Sequence, residues 1–301
     1  MNSIFGQLKS PPADRPTSAS WQDYLALTKL RLSLLVGFSA VLGYMMAADK
    51  PYIPGQLALF ALGGLLITGA ANAVNQVLEV QFDRLMKRTG NRPLPTGRIS
   101  KERAIVFVAV LLFAGLFMQT LWFNPLTAGI SFVSFLLYGF VYTPLKRVGS
   151  IAVYVGAIPG GLPPLIGWVA ATGTLSNEAL WLFTVQFVWQ FTHFWAVAWV
   201  LDEDYQKAGF KLLPLKRPST YKTALVILSF TVWLIPLGLL PYYWGYIGPI
   251  ATGIAVVAGF ALLLLNIRLV NNPVIAAAKR LMFSAFAYLP LVQIAFVLDR
   301  V

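Results

Sequence analysis

Long apolar stretches separated by short polar segments dominate the sequence. Nine can be marked, over residues 32–48, 57–78, 104–123, 126–143, 151–171, 178–201, 222–241, 245–266 and 280–298. Each is close to the length of a helix that crosses a bilayer, which takes about 20 apolar residues. Because backbone exposed to lipid must satisfy its own hydrogen bonds, these stretches are predicted to be helices. The predicted fold is all-α, with nine transmembrane helices around a cavity that faces the cytoplasm.

The composition supports a membrane protein and excludes several other classes. Of the 301 residues, 58% are hydrophobic and only 11% are charged, whereas a soluble domain has about 25% charged residues. A soluble enzyme and a disordered chain are therefore excluded, and the lack of cysteine excludes a disulfide scaffold. Residues 1–22 are predicted to be a flexible cytoplasmic tail, and residues 23–301 a single transmembrane domain.

The basic residues lie almost entirely on one side of the predicted bundle. All Lys and Arg except Lys50 and Arg300 fall in the tail, at the entry to the first span, or in the segments that follow spans two, four, six and eight. By the positive-inside rule, the N-terminus is cytoplasmic and the C-terminus outside. Topology thus accounts for most of the net charge of +12, and no nucleic-acid partner is expected. Residues 1–20 lack the arginine-rich look of a transit peptide, so a bacterial plasma membrane is favoured.

A polar stripe ends the second span. Asn75, Glu79 and Asp83 are four residues apart, so on a helix they share one face over about 12 Å. Their oxygens suit Mg²⁺, which is usually held by one or two carboxylates together with substrate phosphate. The basic residues nearby suit that phosphate, and they are Arg84, Lys87, Arg88, Arg92, Lys146 and Arg147. The alternative is a solvated helix end, although ionisable groups at membrane depth are usually functional.

A second acidic cluster, Asp202, Glu203 and Asp204, ends the sixth span on the same side. Adjacent acids repel one another unless a cation or nearby bases compensate. Asp204 is the member expected to face the polar stripe, and the parts of the other two stay open. Two acidic clusters across a cavity could hold a Mg²⁺-bound diphosphate, with its lipophilic tail in the apolar bundle. This is a layout for prenyl transfer within a membrane.

The single histidine, His193, lies inside the sixth span. Gln186, Gln190 and His193 form a polar stripe at helical spacing, and Asp204, eleven residues further on, is predicted to share that face. The imidazole is therefore predicted to lie deep in a cavity with Asp204 at its mouth. A neutral imidazole there could ligate a haem iron or hydrogen-bond an acceptor substrate. A hydrogen bond between helices is the alternative.

These motifs resemble the UbiA superfamily of intramembrane prenyltransferases over about residues 25 to 295. The first motif of that superfamily, Asn-x-x-x-Asp-x-x-x-Asp, corresponds here to Asn75, Glu79 and Asp83, with glutamate at the middle place. The more detailed similarity is to members that farnesylate protohaem IX. It is carried by residues 83–94, 142–147, 160–168, 189–195 and 204–214.

The resemblance implies transfer of a farnesyl group from farnesyl diphosphate to a vinyl group of protohaem IX, giving haem O and diphosphate. It implies that Mg²⁺ is held by Asn75, Glu79, Asp83 and Asp204, that the basic residues above bind diphosphate, and that His193 contacts the haem. Two alternatives remain, a prenyltransferase for an aromatic quinone precursor and a transporter of an anionic lipid or phosphate. A haem-modifying enzyme or a terminal oxidase is an expected recipient of the product.

Overall fold

The computed structural model describes residues 19–48, 51–215 and 220–301, and within these ranges the chain is helical, with one isolated β-bridge between Ile247 and Arg300. The all-α prediction is confirmed. The helices are α1 (Trp21–Thr28), α2 (Leu30–Ala47), α3 (Pro54–Asp83), α4 (Lys101–Trp122), α5 (Pro125–Leu136), α6 (Thr143–Leu145), α7 (Ile151–Thr172), α8 (Asn177–Val200), α9 (Asp202–Lys207), α10 (Tyr221–Thr231), α11 (Leu234–Tyr243), α12 (Pro249–Asn271) and α13 (Ile275–Leu298). A π-helical turn, Leu137–Tyr142, joins α5 to α6.

Eight helical segments in the described part of the chain are long and apolar enough to cross a membrane. They are α2, α3, α4, the continuous α5–α6 segment, α7, the α10–α11 segment, α12 and α13. The sixth predicted span forms α8, which has 24 residues but is more polar, with Gln186, Gln190 and His193 along it. The count of nine therefore stays a prediction.

The described chain becomes helical within the last two residues of the predicted tail. Helix α1 begins at Trp21, and a capping box between Ser20 and Asp23 fixes that start. Asp23 also pairs with Arg98, at 2.8 Å, and so ties α1 to the segment before α4. The tail prediction for residues 1–18 lies outside the described residues.

The last two predicted spans are displaced from the helices by several residues. The span at 245–266 corresponds to α12, Pro249–Asn271, because Gly245 has a φ of +74° and the helix starts only after Gly248. The span at 280–298 corresponds to α13, which begins at Ile275. Lys279 lies on an exposed surface of that helix and not in a loop.

Small residues and prolines decide how α7 packs. Gly167 and Gly43 let α7 and α2 approach so closely that a Cβ at either position would overlap backbone of the other helix. Pro163 and Pro164 leave two α7 carbonyl groups without their helical partner. The Gly160 carbonyl accepts a hydrogen bond from Gln186 Nε2 at 2.8 Å instead, so α7 is joined to α8 inside the bundle.

Candidate active site

The polar stripe lies on one continuous helix, as the spacing predicts. Helix α3 extends to Asp83, and Asn75, Glu79 and Asp83 are all buried along its last turns. Asp83 is fully buried and Glu79 is only 5% exposed. Buried carboxylates need compensating charge, so the groups that face them define the site.

Each residue of the stripe faces one basic side chain from a different part of the chain. Arg92 Nη1 is 2.8 Å from Asp83 Oδ2, and Lys146 Nζ is 2.9 Å from Glu79 Oε1. Burial acts to lower the pKa of Lys146, but the Glu79 carboxylate and two nearby tyrosine hydroxyls together outweigh it and raise that pKa above its ordinary value. Two of the predicted diphosphate-binding residues are thus placed at the stripe.

The third partner, Lys29, was not among the predicted site residues. Its Nζ donates a hydrogen bond to Asn75 Oδ1 at 3.0 Å. Loss of hydration, followed by repulsion from Arg92 and Lys146, lowers the pKa of Lys29 to about 7. An added negative charge would favour its protonated form. In the sequence Lys29 was only one of several bases before the first span, and no spacing rule connects it to Asn75.

The π-helical turn places a further polar group on Asn75. Pro144 has no N–H to continue an α-helix, and the wider turn before it puts Thr143 beside α3. Asn75 Nδ2 donates to Thr143 Oγ1 at 3.0 Å, and Thr143 donates to the Tyr138 carbonyl at 2.9 Å. The amide of Asn75 is therefore held with its oxygen towards Lys29.

The other predicted basic residues lie at the rim. Arg84 is exposed, and its Nε donates to the Pro95 carbonyl within its own loop at 3.1 Å. Lys87 and Arg88 are exposed. Arg147 is exposed too, and lies over the Phe82 ring with its guanidinium carbon 4.8 Å from the ring centroid.

The Asp204 side chain binds the backbone of the loop that follows α3. The helix is interrupted at Leu201, between α8 and α9. Asp204 therefore does not lie on the same helical face as His193. Its carboxylate accepts hydrogen bonds from the N–H groups of Lys87 and Arg88 at 3.0 and 3.4 Å. Burial acts to raise the pKa of Asp204, but these N–H groups and Lys207 hold it below its ordinary value.

The donor set of the stripe fits Mg²⁺ with substrate better than a metal held by protein alone. Within residues 19–48, 51–215 and 220–301, no three His, Cys, Asp or Glu side chains are grouped closely enough to hold a metal ion. Asp83 Oδ1 is buried and has no hydrogen-bond partner, and Asn75 and Glu79 supply further oxygens. Two carboxylates completed by substrate phosphate are a usual arrangement for Mg²⁺.

A cavity of about 280 Å³, the central cavity, begins next to the stripe. Asn72, one turn deeper on α3, lines it together with Tyr138 and Tyr142, and Lys146 Nζ is 4.8 Å from the Tyr142 ring centroid. Most of the remaining wall is apolar. The lining side chains that are also exposed on the outer surface belong to α2, α8 and α13, and include Leu32, Leu35, Phe38, Phe194 and Phe286. One side of the cavity therefore reaches the lipid-facing surface.

His193 lines the central cavity on that side. Its ring stacks on Trp189, with centroids 5.0 Å apart and planes at 9°. Nδ1 is 3.3 Å from the Met282 carbonyl oxygen, and since a carbonyl only accepts, Nδ1 carries the proton. In the neutral ring Nε2 then keeps a lone pair, which can bind a metal or accept a hydrogen bond. The predicted stripe with Gln186 and Gln190 also faces the cavity.

Comparisons with known proteins agree with this arrangement. Residues 36–289 match the UbiA prenyltransferase family. The chain is 45% identical to the protoheme IX farnesyltransferase of Cytophaga hutchinsonii, over 94% of this chain and 99% of the relative.

Two solved structures share the fold. A digeranylgeranylglyceryl phosphate synthase in membranes has a TM-score of 0.78, at 20% identity over 92% of this chain and 97% of the other. A UbiA homologue from Archaeoglobus fulgidus bound to GPP and Mg²⁺ has a TM-score of 0.68, at 15% identity over 89% and 99%. The chain belongs to the UbiA prenyltransferase family.

Proposed function

We propose that the protein transfers the farnesyl group of farnesyl diphosphate to a vinyl group of protohaem IX, giving haem O and diphosphate. The observation that carries the acceptor is the 45% identity to a protoheme IX farnesyltransferase over nearly the whole of both chains. The geometry supports it, because a buried charged stripe adjoins an apolar cavity that a histidine lines.

The diphosphate is bound at the polar stripe in this proposal. Lys146 and Arg92 already reach the stripe, and Lys87, Arg88, Arg84 and Arg147 lie around it. Their positive charge stabilises the diphosphate as the farnesyl C–O bond breaks. Asp204 holds the backbone of Lys87 and Arg88 beside the site, and its part as a direct metal ligand stays a prediction.

Asn75, Glu79 and Asp83 would hold a Mg²⁺ ion together with the diphosphate. When bound, the ion neutralises the charge that develops on the leaving diphosphate. The proposal rests on the donor set and on the buried, unpaired Asp83 Oδ1, and it is supported by the fold relative bound to GPP and Mg²⁺. Arg92 and Lys146 must then release the carboxylates and turn towards phosphate oxygens.

The prenyl chain and the acceptor meet in the central cavity. The farnesyl chain lies along its apolar wall, and the acceptor enters from the lipid side, next to His193. The vinyl carbon bonds to the farnesyl carbon that has lost diphosphate, water adds to the resulting cation, and one proton leaves. His193 contacts the haem through Nε2, which the bond from Nδ1 to Met282 leaves with its lone pair.

The remaining assignments follow from the topology and from the product. We place the protein in a bacterial plasma membrane, with its N-terminus and the polar stripe on the cytoplasmic side, because nearly all basic residues lie there. The product is more lipophilic than its precursor, so hand-over to a haem-modifying enzyme or a terminal oxidase within the membrane is proposed.

The acceptor is tested by competition. Purified full-length chain is given farnesyl diphosphate and Mg²⁺ with equal amounts of haem B and 4-hydroxybenzoate, and the extracted products are identified by mass spectrometry. The proposal expects haem that is heavier by one farnesyl group and one hydroxyl group. A farnesylated benzoate with unmodified haem would favour an aromatic acceptor. Transport of labelled farnesyl diphosphate across vesicles without any product would favour the transporter.

A further inference from the structure

Lys29 occupies a strained position at the junction of α1 and α2. Its backbone has φ +48° and ψ +54°, and it is the one residue other than glycine with positive φ among those the structure describes. A side chain makes this left-handed conformation costly, whereas glycine adopts it freely. A lysine at this position therefore indicates that its side chain makes a functional contact.

The junction is held firmly by the same helix that carries the polar stripe. Gln76 Nε2 donates to the Leu27 carbonyl at 2.8 Å, and Asn72 Nδ2 donates to the Thr28 carbonyl at 3.3 Å. Ser33 also donates to the Thr28 carbonyl, at 2.7 Å. Lys29 thus projects from a fixed point, and its Nζ meets Asn75, the innermost residue of the stripe.

Lys29 is the one of the three basic side chains at the polar stripe that faces no carboxylate. Arg92 faces the carboxylate of Asp83, and Lys146 faces that of Glu79. Lys29 instead faces the neutral amide of Asn75, which can solvate an ammonium group but cannot neutralise it. Three basic side chains therefore meet two carboxylates, and the one without a carboxylate partner stands at the inner end of the stripe, next to the central cavity.

We propose that Lys29 binds the diphosphate of the prenyl substrate directly. Its ammonium group exchanges Asn75 Oδ1 for a phosphate oxygen when the substrate enters, and the amide oxygen becomes available to a divalent cation. This assignment rests on the proposed function. It adds a phosphate-binding residue from the α1–α2 junction to the basic residues that the sequence motifs indicate.

Binding of farnesyl diphosphate to the solubilised full-length chain, measured by calorimetry with Mg²⁺ present, tests the assignment. Lys29→Met and Lys29→Gly should each weaken binding by about ten- to hundredfold, the effect of losing one charge-assisted hydrogen bond. Lys29→Arg should stay within a few-fold of the wild type. Arg31→Met, which removes an exposed cation two residues away, should bind as the wild type does.

The glycine variant separates binding from folding. Glycine relaxes the left-handed backbone, so Lys29→Gly should have a melting temperature at or above that of the wild type while it loses affinity. Wild-type affinity in both Lys29→Gly and Lys29→Met would overturn the assignment alone. A wild-type chain that does not bind farnesyl diphosphate would overturn the proposed function, and this assignment with it.

Discussion

Glu79 and Lys146 form a buried ion pair, with side chains only 6% and 11% exposed. Removing one partner of such a pair leaves an uncompensated charge and costs about 3–5 kcal/mol. We expect Lys146→Met to lower the melting temperature of the solubilised chain markedly. The double variant Glu79→Gln/Lys146→Met should recover most of that loss and still bind farnesyl diphosphate poorly. Additive losses of stability in the double variant would show that the two side chains are not coupled.

Substitution of His193 should weaken binding of the acceptor and leave binding of the prenyl donor unchanged. His193→Phe keeps a flat ring that can stack on Trp189 and removes both ring nitrogens. We expect haem affinity, followed by absorbance titration, to fall by about tenfold or more, with binding of farnesyl diphosphate unchanged. If haem binds the variant as tightly as the wild type, the histidine serves only to join α8 to α13 through the Met282 carbonyl.

Site residues could be predicted where they lie together on one helix, and could not be predicted where their contacts come from distant parts of the chain. The spacing of Asn75, Glu79 and Asp83 is a property of one helix and could be seen directly in the sequence. The position of Lys29 depends on a left-handed break between two helices, and the contacts of Asp204 are to backbone N–H groups. Neither leaves a pattern of residue types, so neither could be predicted.

At the scale of helices, the contact between α2 and α7 depends on two glycines. A Cβ on Gly167 would overlap the Ala40 carbonyl oxygen, and one on Gly43 would overlap the Pro164 carbonyl oxygen. Without a hydrophobic force between helices in lipid, such close backbone approach is a main source of association. Since both helices line the central cavity, separating them would also widen it.

Gly167→Ala should therefore lower the melting temperature by several degrees and weaken farnesyl diphosphate binding. Gly129→Ala on α5 is the matched control, because a Cβ there meets nothing within 4 Å. It should leave the chain unchanged or slightly more stable, since alanine is favoured over glycine in helices by about 1 kcal/mol. Equal melting temperatures for the two variants would contradict the packing described for α2 and α7.

Helix positions followed from the apolar pattern, whereas helix ends and breaks did not. Spans at 104–123 and 151–171 correspond closely to α4 and α7, where Ser100 and Gly173 mark the boundaries. Between α10 and α11 the helical hydrogen-bond pattern is interrupted at Val232 and Trp233, although both residues keep right-handed helical backbone angles. Pro236 has no N–H to donate to the Val232 carbonyl four residues before it, but the apolar pattern continues unchanged on both sides, so the pattern alone does not mark the interruption.

At the scale of the whole molecule, the two ends of the bundle differ in character. Arg300, one of the two bases predicted on the far side, donates to the carbonyls of Met45 and Met46 at 2.7 and 2.8 Å. It thereby closes the end of α2 against the C-terminal segment. The other end holds the polar stripe and its three basic side chains, with the apolar cavity between the two ends. This polarity places an anionic head at one end and a lipophilic chain within.

Formation of farnesylated haem by wild-type and Asp83→Asn chains, with and without Mg²⁺, tests the central claim most directly. The mass of the extracted haem is measured by mass spectrometry, and Glu102→Gln, which neutralises an exposed acid in the first turn of α4, serves as control. Product heavier by one farnesyl group and one hydroxyl group should form with wild type and Glu102→Gln. It should fall by about a hundredfold or more in Asp83→Asn and vanish with EDTA. Undiminished product from Asp83→Asn, or in EDTA, would contradict the account.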